Sequence, residues 1–352
     1  MRRPSAGEEG KPLTNKAAIM PVFSRILRNL KYRKIAKNVS IGCATLGVVG
    51  MFGTWSYVTK SINFQRPRYW SDSFTMTPEA LRMPYRKISF TTDDNIRLNG
   101  WFVPQSTRGE PSNRIIMCCC PYNHDKSTML GICRGLFENG YSILLFNFRS
   151  HADFPTQQTI GYLESRDARA ALEWLRSNRP RKNARIGILG ASMGGAMSLK
   201  MAEESEDIVA CATDCAFTTL YDVVEHRITL ELPFFFRNNP RFRDFSMYAI
   251  CLMNKVFFGY DLKNVGPATI DDRTGKNNLQ QIRCPLLILH SEMDSVVPCH
   301  CATDIYNETI NVDDSDKELI ILPDVEHIGA YFNDEVAYMK RIVNFFDKHF
   351  DG

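Results

Sequence analysis

The chain has 352 residues, 44% hydrophobic and 23% charged, an ordinary globular composition with apolar material for one large core. Net charge is +4, but residues 1–40 carry ten Lys/Arg against Glu8 and Glu9, a net of +8, which leaves residues 41–352 at −4. A mildly acidic body excludes a basic nucleic-acid footprint, so no nucleic-acid partner is expected.

Residues 1–40 read as a basic tail. From Ile41 to Val58 run 18 residues without a charge, the lower bound for a transmembrane helix, with Trp55 and Tyr57 where an interfacial aromatic belt begins. The reading is a single-pass membrane anchor over 41–58. A signal peptide is disfavoured because 40 residues of basic prefix exceed an n-region, and a mitochondrial presequence is the second alternative. Residues 59–84, with Pro67, Pro78 and Pro84, read as a linker.

Residues 85–350 read as one α/β domain. Arg86–Thr92 and Ile96–Pro104 alternate apolar and polar around Asp93-Asp-Asn95, a hairpin signal. Strands are then expected at Arg114–Cys119, Tyr141–Asn147, Arg185–Leu189, Ile208–Thr213, Cys284–His290 and Glu318–Pro323. Helices fall between them, at about Lys126–Glu138, Gly161–Arg179 and from Met193 onward. Such alternation predicts a mostly parallel sheet covered on both faces, with ligands at the carboxyl ends of the strands. Residues 218–281 break the alternation with Leu232-Pro-Phe-Phe-Phe236, Phe242, Phe245 and an apolar run from Met247 to Gly259, too apolar for a solvated loop. This insertion reads as a helical lid lining an acyl or aryl pocket.

Eleven cysteines raise the question of disulfides or metal. Cys118-Cys-Cys120 end an apolar run and read as small buried hydrophobes, and Cys299-His-Cys301 lacks zinc-site spacing. Free thiols favour a reducing compartment, whereas the positive-inside rule puts the body across the membrane from the cytosol. The two arguments point opposite ways.

The chemistry centres on Gly190-Ala-Ser192-Met-Gly194, a G-x-S-x-G pattern between a strand and a helix. A serine at so sharp a turn needs a strained backbone, and its neighbours need to be glycine where strand and helix nearly touch. A serine hydroxyl needs a base, and the base needs an orienting acid. In open α/β sheets these follow in the order Ser, acid, His, each beyond a strand end. Asp294 follows the strand ending at His290, and His327 follows the last strand. Asp214 also follows a strand and competes with Asp294. Glu292, Asp324 and Glu326 read as solvated. The oxyanion donors are expected to be the N–H of Met193 and one from the loop after Cys119, Cys120-Pro-Tyr-Asn-His-Asp125.

The carrying motifs are Gly190–Gly194, Thr159-Ile-Gly-Tyr-Leu-Glu-Ser-Arg-Asp167, Thr213-Asp-Cys-Ala-Phe217, Ser291-Glu-Met-Asp294 and Glu326-His327. With them, residues 85–350 resemble the α/β-hydrolase superfamily, in its prolyl-oligopeptidase-like and dienelactone-hydrolase-like serine-hydrolase branch, which includes membrane-anchored members. The resemblance implies an acyl-enzyme mechanism at Ser192 with neither metal nor organic cofactor. Two departures stand out. Cys120-Pro121 replaces the usual His-Gly of the oxyanion loop, and because proline has no N–H the resemblance then implies Tyr122 N–H as the second oxyanion donor. Asn147-Phe-Arg-Ser-His-Ala152 replaces Asp-x-Arg-Gly-His-Gly; His124 and His151 lie near the mouth. The expected substrate is a lipid-like ester, thioester or amide. A serine peptidase for short peptides and a non-catalytic scaffold at a membrane are the alternatives.

Overall fold

A computed structural model describes residues 76–350 except 108, 153–155 and 232–237, together with the isolated positions Lys37, Gly50, Gly53 and Ser56. The chain divides into two units, 1–56 and 57–352, and the α/β domain lies wholly in the second. Nearly all of the basic tail and of the anchor segment 41–58, and most of the linker, lie outside the described residues. Among the described residues, no helix is long and apolar enough to cross a membrane.

The strands are β1 (Arg86–Thr91), β2 (Arg97–Val103), β3 (Ser106–Thr107), β4 (Glu110–Pro111), β5 (Arg114–Cys119), β6 (Ser142–Phe146), β7 (Arg185–Ala191), β8 (Ile208–Asp214), β9 (Leu286–Ser291) and β10 (Lys317–Leu322). The helices are α1 (Leu130–Glu138), α2 (Glu164–Asn178), α3 (Met193–Glu204), α4 (Leu220–Glu231), α5 (Pro240–Phe258), α6 (His300–Glu308), α7 (Ala330–Asn333) and α8 (Glu335–Phe350). Eight strands form one sheet in the order β1-β2-β6-β5-β7-β8-β9-β10. β2 pairs antiparallel with both neighbours and every other pair is parallel, so β2 alone runs against the rest.

Burial follows position in the sheet. The central strands RIIMCC, SILLF and RIGILGA are buried along almost their whole length, as strands covered on both faces are. Edge strand β1 alternates between exposed and half-buried positions. On α2 the stripe Ala168, Ala171, Leu172 and Leu175 is buried, while Leu163 lies just outside the helix as its N-cap. On the sheet's other face α8 buries Tyr338, Ile342, Val343, Phe345, Phe346 and Phe350. It comes so close to β7 that a Cβ on Gly187 would meet Phe346 and Phe350 at 2.9 Å. Cys118, Cys119 and Cys120 are free and buried in this core.

One ion-pair network ties the sheet's first edge to α2. Arg149, fully buried just after β6, donates from Nη1 to Asp94 at 2.8 Å and from Nη2 to Asp167 at 2.7 Å. Asp94 sits in the β1–β2 turn, where Asn95 takes a left-handed backbone (φ 63°). The buried Glu164 carboxylate accepts from the N–H groups of Thr159 and Gly161, which fixes the turn into α2.

Candidate active site

Ser192 stands at the junction of β7 and α3 with φ 55° and ψ −120°, outside the regions L-residues ordinarily occupy. The flanking glycines are a steric requirement. A Cβ on Gly190 would lie 2.1 Å from the Gly194 carbonyl oxygen, and one on Gly194 would lie 2.0 Å from that of Cys119. The second clash also shows that the end of β5 passes directly over the elbow. The Ser192 N–H donates to the Asp214 carbonyl at 2.8 Å, which locks the turn to the end of β8.

The other two predicted residues arrive from separate strand ends. His327, in the turn after β10, has Nε2 2.9 Å from Ser192 Oγ and Nδ1 2.6 Å from Asp294 Oδ2. Asp294, after β9, is buried, and its Oδ1 accepts from the N–H groups of Val296 and Val297, each at 2.8 Å. Burial works to raise the Asp294 pKa. The His327 hydrogen bond, the His327 charge and the two N–H groups outweigh it and hold the carboxyl below its usual range. Ser192, Asp294 and His327, 135 residues apart at the extremes, therefore form one hydrogen-bonded line. Glu292, Asp324 and Glu326 are exposed, as the sequence suggested.

Met193 opens α3, so its N–H has no acceptor within the helix. Tyr122 is half-buried in the turn after β5, where Asn123 is left-handed and the His124 N–H donates to the Pro121 carbonyl. In the segment after β6, Asn147 makes side-chain hydrogen bonds. Its Oδ1 accepts from the Lys126 N–H and its Nδ2 donates to the His151 carbonyl, which joins the two loops at the strand ends.

Two family models match the chain. One, described as X-Pro dipeptidyl-peptidase (S15 family), covers residues 77–238, and the prolyl oligopeptidase family model covers 262–352. An esterase from Pyrococcus furiosus superposes with a TM-score of 0.61 over 81% of this chain and 97% of that one, at 21% identity. The chain has the α/β-hydrolase fold. Among curated relatives of this chain, an uncharacterized Mycobacterium tuberculosis protein is 31% identical over 138 residues, 39% of this chain and 48% of that one. The alignment thus spans about half of that relative. The rat lysophosphatidylserine lipase ABHD12 is 28% identical over 173 residues, 48% of this chain and 38% of that one.

Sequence reasoning missed the role of several groups around the candidate site. Cys215, left-handed at φ 53° just after β8, accepts the Ile328 N–H on its Sγ at 3.4 Å, and Ile328 is itself left-handed at φ 51°. Burial, with Asp214 and Asp294 adding, pushes the Cys215 thiol far up, so it stays protonated. Cys215, Asp294 and His327 are the one group of metal-type ligands that converges among the described residues, with ligand atoms within 4.8 Å of one another. The 2.6 Å His327–Asp294 contact is shorter than the roughly 3.3 Å that two ligands of one tetrahedral ion keep, so the trio fits hydrogen bonding better than coordination. His290 is fully buried, with Nε2 3.5 Å from Asp294 Oδ2 and 3.2 Å from the Val297 carbonyl. His226 of α4 reaches the Asp294 carbonyl through Nε2 at 3.3 Å. Asp214, the competing acid, is not the residue against His327 Nδ1. Burial pushes it up to about 6, against Cys215, Tyr338 and His327, and its Oδ1 has no hydrogen-bond partner among the described residues. No spacing in the sequence marks His226 or His290, since each reaches Asp294 only through the tertiary fold.

A cleft of about 1050 Å³ opens at the other end of the strands, where Arg185 and Ile208 begin β7 and β8. Glu203, Arg283, Ile310 and Asn311 line it, and it lies away from Ser192.

Proposed function

We propose that Ser192 is the nucleophile of an acyl-transfer hydrolase, with His327 as general base and Asp294 holding the imidazole. The observation that carries this is the pair of contacts at 2.9 and 2.6 Å on the two nitrogens of one ring. His327 Nδ1–H donates to the ionised Asp294, which leaves the Nε2 lone pair facing the Ser192 hydroxyl. As Oγ attacks the carbonyl carbon, its proton passes to Nε2, and the imidazolium then protonates the leaving group. Water repeats the sequence to release the acid. Met193 N–H, at the positive end of α3, and Tyr122 N–H are assigned to the oxyanion.

The substrate is proposed to be a lipid-like acyl ester or thioester. Support comes from the apolar insertion beside Asp294 and from the rat relative, itself named for a lysophospholipid. The insertion is read as a lid, and segment 41–58 as the anchor that holds the enzyme at a membrane. A peptidase is the second reading, favoured by the names of both matching family models. A fluorophosphonate probe tests the nucleophile: the wild type is expected to label and Ser192→Ala is not. Equal labelling of both proteins removes Ser192 from the role. Nitrophenyl esters of graded chain length, run beside short proline-containing peptides, separate the two substrate readings.

A further inference from the structure

Helix α5 is apolar on two faces. Its inner face buries Ser246, Met247, Ile250 and Asn254 against the domain. Its outer face carries Phe245, Tyr248, Leu252 and Val256, which are 54%, 65%, 48% and 69% exposed. Spaced at 3, 4 and 4 residues, these four form a single stripe about 16 Å long. Soluble surfaces scatter their exposed apolar residues, and an aligned row of this kind marks something that covers it.

Charge indicates what the cover is. Helix α5 carries Arg241, Arg243 and Lys255 against Asp244, a net of +2, within a body whose net is −4. Arg241 and Lys255, both exposed, are placed by helical spacing beside the stripe, with the exposed Asp244 the one acid of the helix on that flank. An aromatic and aliphatic row flanked by basic side chains is the pattern of a helix lying in a lipid headgroup layer. We propose that α5 is a membrane-docking helix that lays Phe245, Tyr248, Leu252 and Val256 into the headgroup–acyl boundary of an anionic bilayer. Arg241 and Lys255 meet the lipid phosphates and carboxylates. The docking depends neither on Ser192 being the nucleophile nor on the anchor segment.

The test uses the full chain with vesicles of brominated phosphatidylcholine, with or without about a third phosphatidylserine. A tryptophan is introduced by Leu252→Trp on the stripe or by Ile310→Trp, exposed at the opposite strand ends, and wild-type emission is subtracted because the chain has four tryptophans. The added emission of Leu252→Trp is expected to fall at least about 2-fold when phosphatidylserine is present, with Ile310→Trp unchanged. Adding Arg241→Glu and Lys255→Glu is expected to restore most of it, with unaltered circular dichroism melts as the folding control. Equal quenching at both positions, quenching indifferent to phosphatidylserine, or none at Leu252→Trp overturns the proposal. So does a chain that sediments as a dimer, dissociates on Leu252→Glu and ignores vesicles, because a second copy then covers the stripe.

Discussion

At the scale of single residues, the candidate site depends on a carboxylate kept charged in a buried place. Asp294 is held by two backbone N–H groups and one imidazole, so Asp294→Asn leaves the packing intact while reversing the ring's hydrogen-bond preference. The expected outcome is a fall in kcat of roughly 10⁴-fold with little change in melting temperature, read by steady-state kinetics beside calorimetry. These residues were legible in the sequence for a definite reason. The glycine pattern around Ser192 is imposed by contacts of 2.0–2.1 Å that admit no side chain, so it survives as a local motif. His226 and His290 were not legible and Cys215 was legible only as part of the Thr213–Phe217 motif, because nothing near them in the chain says that their side chains meet Asp294 or the turn at His327.

At the scale of elements, the sheet follows the hydrophobic runs closely. β5, β6 and β7 are buried on both faces and read as unbroken apolar stretches, whereas helix starts moved inward. The helix expected from Gly161 begins at Glu164, since Glu164 folds back to accept the Thr159 and Gly161 N–H groups and so holds those residues in a turn. Sequence pattern does not reveal long-range polar pairs such as Arg149 with Asp94 and Asp167. Arg149→Leu leaves Asp167 buried and uncompensated, and a loss of about 3–5 kcal/mol in a urea unfolding experiment is expected. Arg149→Leu combined with Asp167→Leu should recover much of that loss, since the buried charge is then gone. A single variant that unfolds like the wild type would show the network to be idle.

At the scale of the whole molecule, one buried acid away from Ser192 ties stability to pH. Burial pushes Glu203 up to about 8, against the pull of Lys200, whereas in the unfolded chain it titrates near 4.3. The folded state therefore binds the extra proton between those values, and its stability falls as pH rises through that window. Glu203→Gln removes the dependence, so the variant is expected to melt above the wild type at pH 9 and to lose that advantage by pH 4. Parallel melting curves at every pH would contradict the assignment.

Three residues around the imidazole, Ser192, Cys215 and Ile328, hold left-handed backbones without being glycine, each at a cost of about 1–3 kcal/mol. They sit on three chain segments that meet only at the rim, and Ile328, branched at Cβ, suits that conformation least. On warming, this corner has the most to gain by letting go, while the sheet beneath it keeps its cooperativity. Turnover should therefore fade several degrees below the calorimetric transition, and return fully on cooling if the loss stops at the rim.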